Sequence, residues 1–462
     1  MSQITNDDIA AGEVNFKKYN YSHPTYRFRK VVASESGEQV VPTSTTISTT
    51  FEIPTGVVFN LAESYLNFSY SIPAPGVGVA NQVWRDTYGM INSISLYDEM
   101  GTYLCNLNNL QNYIKVVGKK EMRVTDLLSR DKNQNNIYPC NTQDDHSVLH
   151  TGDKIHVGYL ESEYLDHSTV LATATNHILK VPLSDFKNTI LALDKDIFLP
   201  HKFMMTVNWG PGVKAAFRST GVLTPQSGPP AALAEDIKVD NLCLMVAVEE
   251  NKDLATKIKN MVLNPGDKKF QIYIPYVTAY KIAKDKENQS ISLTFTYEQG
   301  QRLQKVIHSA FNRVESKNTA YDCDNSDGKK ILRYRTSINS EPRQDFDIRC
   351  ETKYGDDYMY NKRFLRGSAI LNSRVYQYNW FHCDDFTEYP APGEDPCAVP
   401  TDNLNAGLPL GGPEAAANGQ SITWSSDMTC KVAANDDMPL YHYVWVVGQK
   451  LLSCIGTDVT CK

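Results

Sequence analysis

The sequence predicts an all-β chain in which one antiparallel sandwich is used twice, with short helices and long loops between strands. Three observations carry this: strand-like alternation along the chain, a strand pattern that returns in the same order, and a Pro-rich break near the middle. Leu66, Phe68, Tyr70 and Ile72 alternate with Asn67, Ser69 and Ser71, and Ile291, Leu293, Phe295 and Tyr297 alternate with Ser292, Thr294 and Thr296. Phe270, Ile272 and Ile274 repeat the pattern, as do Phe203, Met205, Val207 and Trp209. Successive side chains on a strand point to opposite faces, so each run puts an apolar face into a core and a polar face outward. No βαβ rhythm is present, which argues against a parallel nucleotide-binding sheet.

The returning pattern has two parts. Ser93-Ile94-Ser95-Leu96 followed by Gly101 is echoed by Ser290-Ile291-Ser292-Leu293 followed by Gly300. Pro200 and the strand ending at Gly210 are echoed by Pro439 and the strand Tyr441–Val447 ending at Gly448. The second pair lies about 42 residues further apart than the first. Extra length of this kind maps to surface loops, and the Pro/Gly/Asp-rich stretch Asp384–Gln420 is the natural place for it. Thr224–Ala234 (TPQSGPPAALA) is the best linker, because its three prolines and glycine cannot continue a sheet. Further polar insertions fall near Lys119–Asp153 and Asn312–Lys330, and loops this long are usually functional or shaped by a partner.

Helical periodicity is confined to short segments. Leu107, Leu110, Ile114 and Val117 share one helical face, with Gly118 as a stop. Leu303, Val306, Ile307 and Ala310 form a second stripe. Leu254, Ile258, Met261 and Val262 form a third, with Asp253 as N-cap and Pro265 beyond its end. Each reads as a cover over a sheet edge.

With 462 residues the chain is too long for one ordinary core, and two or three domains are expected. Its 26 Tyr and 16 Phe with moderate charge mark a globular class. A net charge of −7 argues against a dedicated nucleic-acid binder, but the charge is uneven. Val14–Val32 holds five basic residues and no acid, whereas Asp384–Asp437 holds ten acids and one Lys. The polar Met1–Ala10 is no secretory signal, and the apolar runs Leu242–Val248 and Tyr443–Val447 are too short to span a bilayer. The ten cysteines are scattered, which points to reduced thiols made in a cytosol-like compartment.

No catalytic, cofactor-binding or metal site emerges, and the expectation is a protein that is not an enzyme. Asp322-Cys323-Asp324-Asn325-Ser326-Asp327-Gly328 has the look of a calcium loop, but its Gly is misplaced and Arg333 stands where the bidentate Glu belongs. Asp144, Asp145, His146, His150, Asp153 and His156 fit no zinc spacing. His382-Cys383-Asp384 sets a thiol beside an imidazole, yet neighbours along a strand face opposite ways, and a structural role is expected. Gly76-Val77-Gly78 lacks the third glycine of a dinucleotide loop, and no GxSxG, Walker loop, HExxH or cupin metal motif occurs. The basic aromatic segment Phe16–Lys30 suits a nucleic-acid or membrane-surface contact. An extended arm packed on a neighbouring subunit, its basic charges left in solvent, is preferred by about two to one.

The segments Asn92-Ser93-Ile94 through Gly101, Lys180-Val181-Pro182-Leu183 to Pro200, Ile331–Arg343, Tyr376–Phe381 and Tyr441–Leu452 carry a resemblance. By pattern and order over residues 25–462, the chain resembles the double jelly-roll major capsid proteins of tailless double-stranded DNA viruses. That lineage includes membrane-containing phages, adenovirus hexon, virophages, polinton-like viruses and large algal viruses. Pro24-Thr25-Tyr26-Arg27-Phe28 only partly matches the algal-virus pattern, which favours the polinton-like and virophage branch. The resemblance implies two consecutive eight-stranded jelly-rolls, 41–223 and 235–462, after an N-terminal arm, 1–40, and joined by the linker 224–234. It implies homotrimeric, pseudo-hexagonal capsomers that tile an icosahedral shell beside neighbouring capsomers, minor capsid proteins and vertex (penton) proteins, with no cofactor. Localisation in the virion follows, with the arm Val14–Val32 facing genome, lipid or a minor protein inside and Asp384–Asp437 rising outward as a tower loop. Two rivals stand beside this reading. One is a β-sandwich carbohydrate-binding or adhesin protein, opposed by the missing secretory signal. The other is an enzyme on a jelly-roll scaffold, opposed by the missing metal motif.

Overall fold

In the computed structural model the chain is described over residues 25–34, 47–72, 80–83, 91–118, 170–171, 175–209, 217–220, 231–232, 238–264, 270–284, 287–296, 302–312, 331–350, 356–361, 380–386, 408–409, 421–430, 440–455 and 458–461. The first half contributes β1 (Tyr26–Val32), β2 (Ile47–Glu52), β3 (Val58–Ile72), β4 (Ala80–Val83), β5 (Ile91–Asp98) and β6 (Tyr103–Asn108). After the one-turn helix α1 (Leu110–Tyr113) come β7 (Val170–Leu171), β8 (Thr175–Pro182), β9 (Asp196–Phe198), β10 (Phe203–Trp209), β11 (Phe217–Thr220), β12 (Ala231–Ala232) and β13 (Lys238–Glu249). One sheet runs β1-β13-β3-β8 with β9 beside β3, and the sheet facing it runs β2-β10-β5-β6. The first and last long strands are therefore neighbours, which is the interleaved wrapping of a jelly-roll. Segments from three connections (β4, β7, β11 and β12) form a third, small sheet, β12-β11-β4-β7.

Helix α2 (Lys252–Leu263) leads to the second half. Its strands are β14 (Phe270–Lys284), β15 (Asn288–Thr296), β16 (Arg302–Asn312), β17 (Ile331–Ile338), β18 (Glu341–Pro342) and β19 (Ile348–Arg349). Helix α3 (Asp356–Asn361) precedes β20 (His382–Asp385), β21 (Leu408–Pro409), β22 (Ser421–Cys430), β23 (Leu440–Ile455) and β24 (Asp458–Cys461). The sheets run β14-β23-β16-β20 and β15-β22-β17-β18. β14, β23, β16 and β20 thus take the places of β1, β13, β3 and β8, while β15, β22, β17 and β18 take those of β2, β10, β5 and β6. The same wrapping occurs twice, in antiparallel sheets throughout.

Three sequence expectations need correction. The linker 224–234 does not divide the rolls: β13 follows it in sequence but lies between β1 and β3, paired from Tyr26↔Glu249 to Val32↔Cys243 on one side and from Lys238↔Ser71 on the other. Among the described residues, strands before 250 pair only with one another and so do those after 269, so the boundary falls at α2. The arm 1–40 contains β1, a full member of the first roll. Asp384–Asp437 is not a single tower loop, because Asp384 lies within the core strand β20 and Ser421–Cys430 is β22; residues 387–407, 410–420 and 431–437 lie outside the described ones.

The two echoes also fail as equivalences, although the duplication stands. Ser93–Leu96 lies on β5 but Ser290–Leu293 lies on β15, the counterpart of β2. Phe203–Trp209 is β10, whereas Tyr441–Val447 belongs to β23, the counterpart of β13. Any half-buried strand alternates in this way, so four matched residues cannot tell one strand from another.

The stripe Leu303–Ala310 is strand β16, not a helix. Residues 303–310 are all buried, because one face looks into the second sandwich and the other onto the first roll. Ile307 pairs with Trp445, and Trp445 packs edge-on against Tyr113 of the first roll with ring centroids 5.9 Å apart. A strand covered on both sides loses its alternation. The third stripe is a helix as expected, with Ile258 and Val262 buried, but Asn251 caps it rather than Asp253. The Asn251 side chain accepts from the N–H groups of Asp253 (3.1 Å) and Leu254 (3.3 Å). α2 packs on β3, β9 and β13 of the first roll and on β23 of the second, so one apolar face stitches both. The Leu107–Val117 stripe is helical only from Leu110, since Leu107 belongs to β6.

Candidate functional site

The most chemically populated region is the inner face of the β14-β23-β16-β20 sheet. His308 on β16 stands directly opposite His382 on β20, and Ala310 opposite His442 on β23, so three imidazoles share one face. All three are wholly buried. His308 Nε2 lies 3.0 Å from His442 Nδ1, and His442 Nε2 lies 2.6 Å from Gln289 Oε1 on β15. His382 Nδ1 lies 2.9 Å from the Tyr334 hydroxyl, and its Nε2 lies 3.2 Å from Asp384 Oδ2. The opposing sheet supplies Trp424, whose indole N–H donates to Asp384 Oδ2 at 2.8 Å, and Thr336, whose hydroxyl donates to Oδ1 at 3.2 Å. The Tyr360 hydroxyl on α3 donates to Oδ1 at 3.3 Å.

Charge in this network is confined to one end. Burial alone would raise the Asp384 carboxyl, but the His382 imidazole, the Trp424 N–H and the Arg343 guanidinium outweigh it and hold it below the usual carboxylate range. Burial, then the neighbouring His442 and His382, press His308 well below an ordinary imidazole. Burial and the charge of Lys284 bring His442 down to about 3. The expected structural role of His382-Cys383-Asp384 fits this geometry: His382 and Asp384 share the inner face, and Cys383 points the other way, buried. His308, His382, His442 and Asp384 are all buried, so the cluster is part of the packing of the second roll. Among the described residues no three His, Cys, Asp or Glu side chains converge as metal ligands. Asp144 to His156, Asp322–Gly328 and Gly76–Gly78 lie outside the described residues.

The surfaces are the other candidates for function. On the outer face of the second roll a groove of about 350 Å³ is lined by Asn288, Arg333, Arg335, Asp347, Asp427 and Thr429. Arg333 Nη1 lies 3.2 Å from Asp347, its Nε donates to Thr429 Oγ1 at 3.2 Å, and Thr429 donates to Asn288 Oδ1 at 3.3 Å. Arg335 Nε donates to the Gln344 carbonyl at 3.0 Å. Positive and negative groups satisfy one another across three strands, which suits a contact surface better than anion capture.

The part of the basic segment that is described, Thr25–Val32, forms the exposed edge of the first roll. Arg27, Phe28, Arg29 and Lys30 are exposed, while Tyr26 is anchored. Its hydroxyl donates to Asp196 (2.8 Å) and accepts from Asn60 Nδ2 (3.0 Å), and burial raises its pKa. Residues 14–24 lie outside the described ones. Sequence reasoning missed the His308–His442 pair. The two are 134 residues apart, and neither sits in a motif.

No protein-family model matches the chain, and no curated protein matches it in sequence. By fold it is similar to VP54 of PBCV-1, in the crystal structure fitted into a cryo-EM reconstruction of the virophage Sputnik. That likeness has a TM-score of 0.51 at 8% identity and covers 96% of this chain and 98% of that one. It is also similar to a chain in the 3.5 Å cryo-EM structure of the Sputnik virophage, with a TM-score of 0.53 at 10% identity over 95% of this chain and 88% of that one. Across nearly the whole length, and in the strand order of both halves, the chain has the double jelly-roll fold.

Proposed function

We propose that the protein is a viral major capsid protein that assembles as pseudo-hexagonal homotrimers tiling an icosahedral shell. The observation that carries this is one chain holding two jelly-rolls of identical strand order, packed side by side through α2, Tyr113 and Trp445. Three such chains around an axis present six similar rolls, so a trimer can fill a six-fold lattice position and meet neighbouring capsomers on near-equivalent faces. Among the fold-level neighbours, one comes from a structure described as the PBCV-1 virus capsid and another is described as the mavirus major capsid protein. The reaction is assembly: sheet faces are consumed in cores, and surfaces such as the Arg333–Asp427 groove are left for protein contacts. Minor capsid and vertex proteins would meet the outer rolls, and the basic segment Val14–Val32 would face the inner side, toward genome, lipid or a minor protein.

Purified recombinant protein tests this by light scattering and negative-stain imaging. The expected result is a particle of three chains with a hexagonal outline. A stable monomer that binds a glycan array would instead establish the carbohydrate-binding rival.

A further inference from the structure

We propose that the second roll contains a proton-operated latch: His308 and His442, locked together as neutral rings inside the sandwich, keep that roll closed, and mild acid opens it while the first roll stays folded. This inference stands on the core of the chain and does not depend on the capsid reading.

The tautomers follow from the hydrogen bonds. An amide oxygen can only accept, so with Gln289 Oε1 facing it at 2.6 Å, His442 carries its proton on Nε2 and accepts through Nδ1. His308 then donates from Nε2 across 3.0 Å, and its bare nitrogen is Nδ1, which is buried with no hydrogen-bond partner. A second proton on either ring must go to Nδ1. On His308 the new N–H would have no acceptor; on His442 it would point at the His308 N–H. Both outcomes place a charge in a buried core and break or orphan a hydrogen bond.

Among the described residues, the groups around the pair offer such a charge no ready counter-ion. Along β16, Lys305 is an odd number of residues from His308 and so lies on the other face. β20 brings His382 and Asp384, but the Asp384 oxygens are already engaged by Trp424, Thr336, Tyr360 and the His382 ring. β14 brings Lys284, whose positive charge opposes protonation of His442. β17 and β22 bring Tyr334 and Trp424, α3 brings Tyr360 and Asp357, and Arg343 stacks on Phe386 with its guanidinium 4.8 Å from the ring. In the first roll the histidine whose side chain is described, His201, is instead partly exposed and lies 3.2 Å from the Asp98 carboxylate.

The sign is that of a group whose folded pKa is depressed. Above about pH 6.5 the unfolded imidazoles are neutral too, and stability is complete. Below it, the unfolded or opened state gains protons that the closed roll refuses. The closed-to-open ratio then falls about tenfold per pH unit for each ring. From pH 7.5 to pH 5 two rings give up to about 10³-fold, while Asp384, held below the ordinary carboxylate range, keeps its charge.

Hydrogen–deuterium exchange of the full-length protein at pH 7.5 and pH 5, corrected for the intrinsic pH dependence of exchange, reads this directly. Peptides covering residues 302–312 and 440–455 should lose protection by about 10²- to 10³-fold at pH 5, and those covering 58–72 and 238–249 should not. The double variant H308Q/H442Q, which keeps amide donors and acceptors but cannot titrate, should abolish the difference. Equal loss in both rolls, a second roll unchanged at pH 5, or an acid response that persists in the double variant would each overturn the latch. If the variant does not fold, the wild-type comparison between rolls decides alone.

Discussion

Removing the first 32 residues should unfold the first roll, whereas removing the first 24 should not. The distinction is sharp because the basic segment expected to be an extended arm turns into strand β1 at Tyr26. Its register pairs seven residues with β13. In an antiparallel ladder every second pair exchanges two hydrogen bonds, so about six to eight are at stake. At a net contribution of about 1 kcal/mol each, the ladder is worth roughly 6–8 kcal/mol. The Tyr26 anchor on Asp196 and Asn60, and the Thr25 N–H donating to Glu249 Oε1 at 3.2 Å, add to this.

For a roll of this size about 1 kcal/mol corresponds to a few degrees in Tm, so Δ1–32 should melt roughly 12–30 °C lower than Δ1–24, or fail to fold. It should also aggregate, because β13 carries buried Leu244, Val246 and Val248 and would become an open, apolar sheet edge. Differential scanning calorimetry with size-exclusion chromatography measures both effects. A Δ1–32 protein that stays soluble and melts within about 3 °C of Δ1–24 would refute the assignment of β1 as a structural strand, since a change that small is about 1 kcal/mol.

Three further outcomes follow from single residues. Asp384→Asn should destabilise the second roll by about 1–3 kcal/mol in urea unfolding, because one amide proton must face Trp424, Thr336 or Tyr360, all of which already donate. Asp98 is buried, and although burial works to raise its pKa, the Thr102 and Met100 N–H groups (2.6 and 2.9 Å) and His201 hold its carboxyl low. Its stabilisation is therefore complete above the ordinary carboxylate pKa and lost as pH falls through the folded value, so Asp98→Asn should lower stability at pH 7 yet flatten its decline below about pH 4. Gly101→Ala should cost about 1–2 kcal/mol by thermal melting, since φ is +83° and a Cβ there meets nothing within 4 Å, leaving backbone strain as the whole effect.

Fold class was legible because half-buried strands write their geometry into the sequence. Leu66, Phe68 and their counterparts alternate because one face of β3 is core and the other is not. The position of the boundary was not legible, for a topological reason. In a jelly-roll the last strand returns to lie beside the first, and the connection leading to it can be as rich in Pro and Gly as any linker. Thr224–Ala234 has the composition of a domain break but connects β11 to β13 within one roll. What separates the rolls is α2, whose apolar face binds to both and therefore reads as packing. Strand β16 was misread for a related reason. Packed between two sandwiches, it has no solvent face, so the period of two disappears and Leu303, Val306, Ile307 and Ala310 mimic a helix.

The buried network was hidden by a different rule. Carboxylates are expected outside because an unpaired one in a low-dielectric core is costly, and that rule sent Asp384 to the surface together with the acidic stretch after it. The rule holds only while the partners are unknown. Trp424, Thr336, Tyr360 and His382 arrive from β22, β17, α3 and β20, and sequence spacing does not show that they meet. A charge so fully engaged no longer needs water, and it is not free to neutralise a proton elsewhere. That is why His308 and His442, on the same sheet face as Asp384, must remain neutral. The compensation that buries Asp384 safely also makes the neighbouring imidazole pair sensitive to acid.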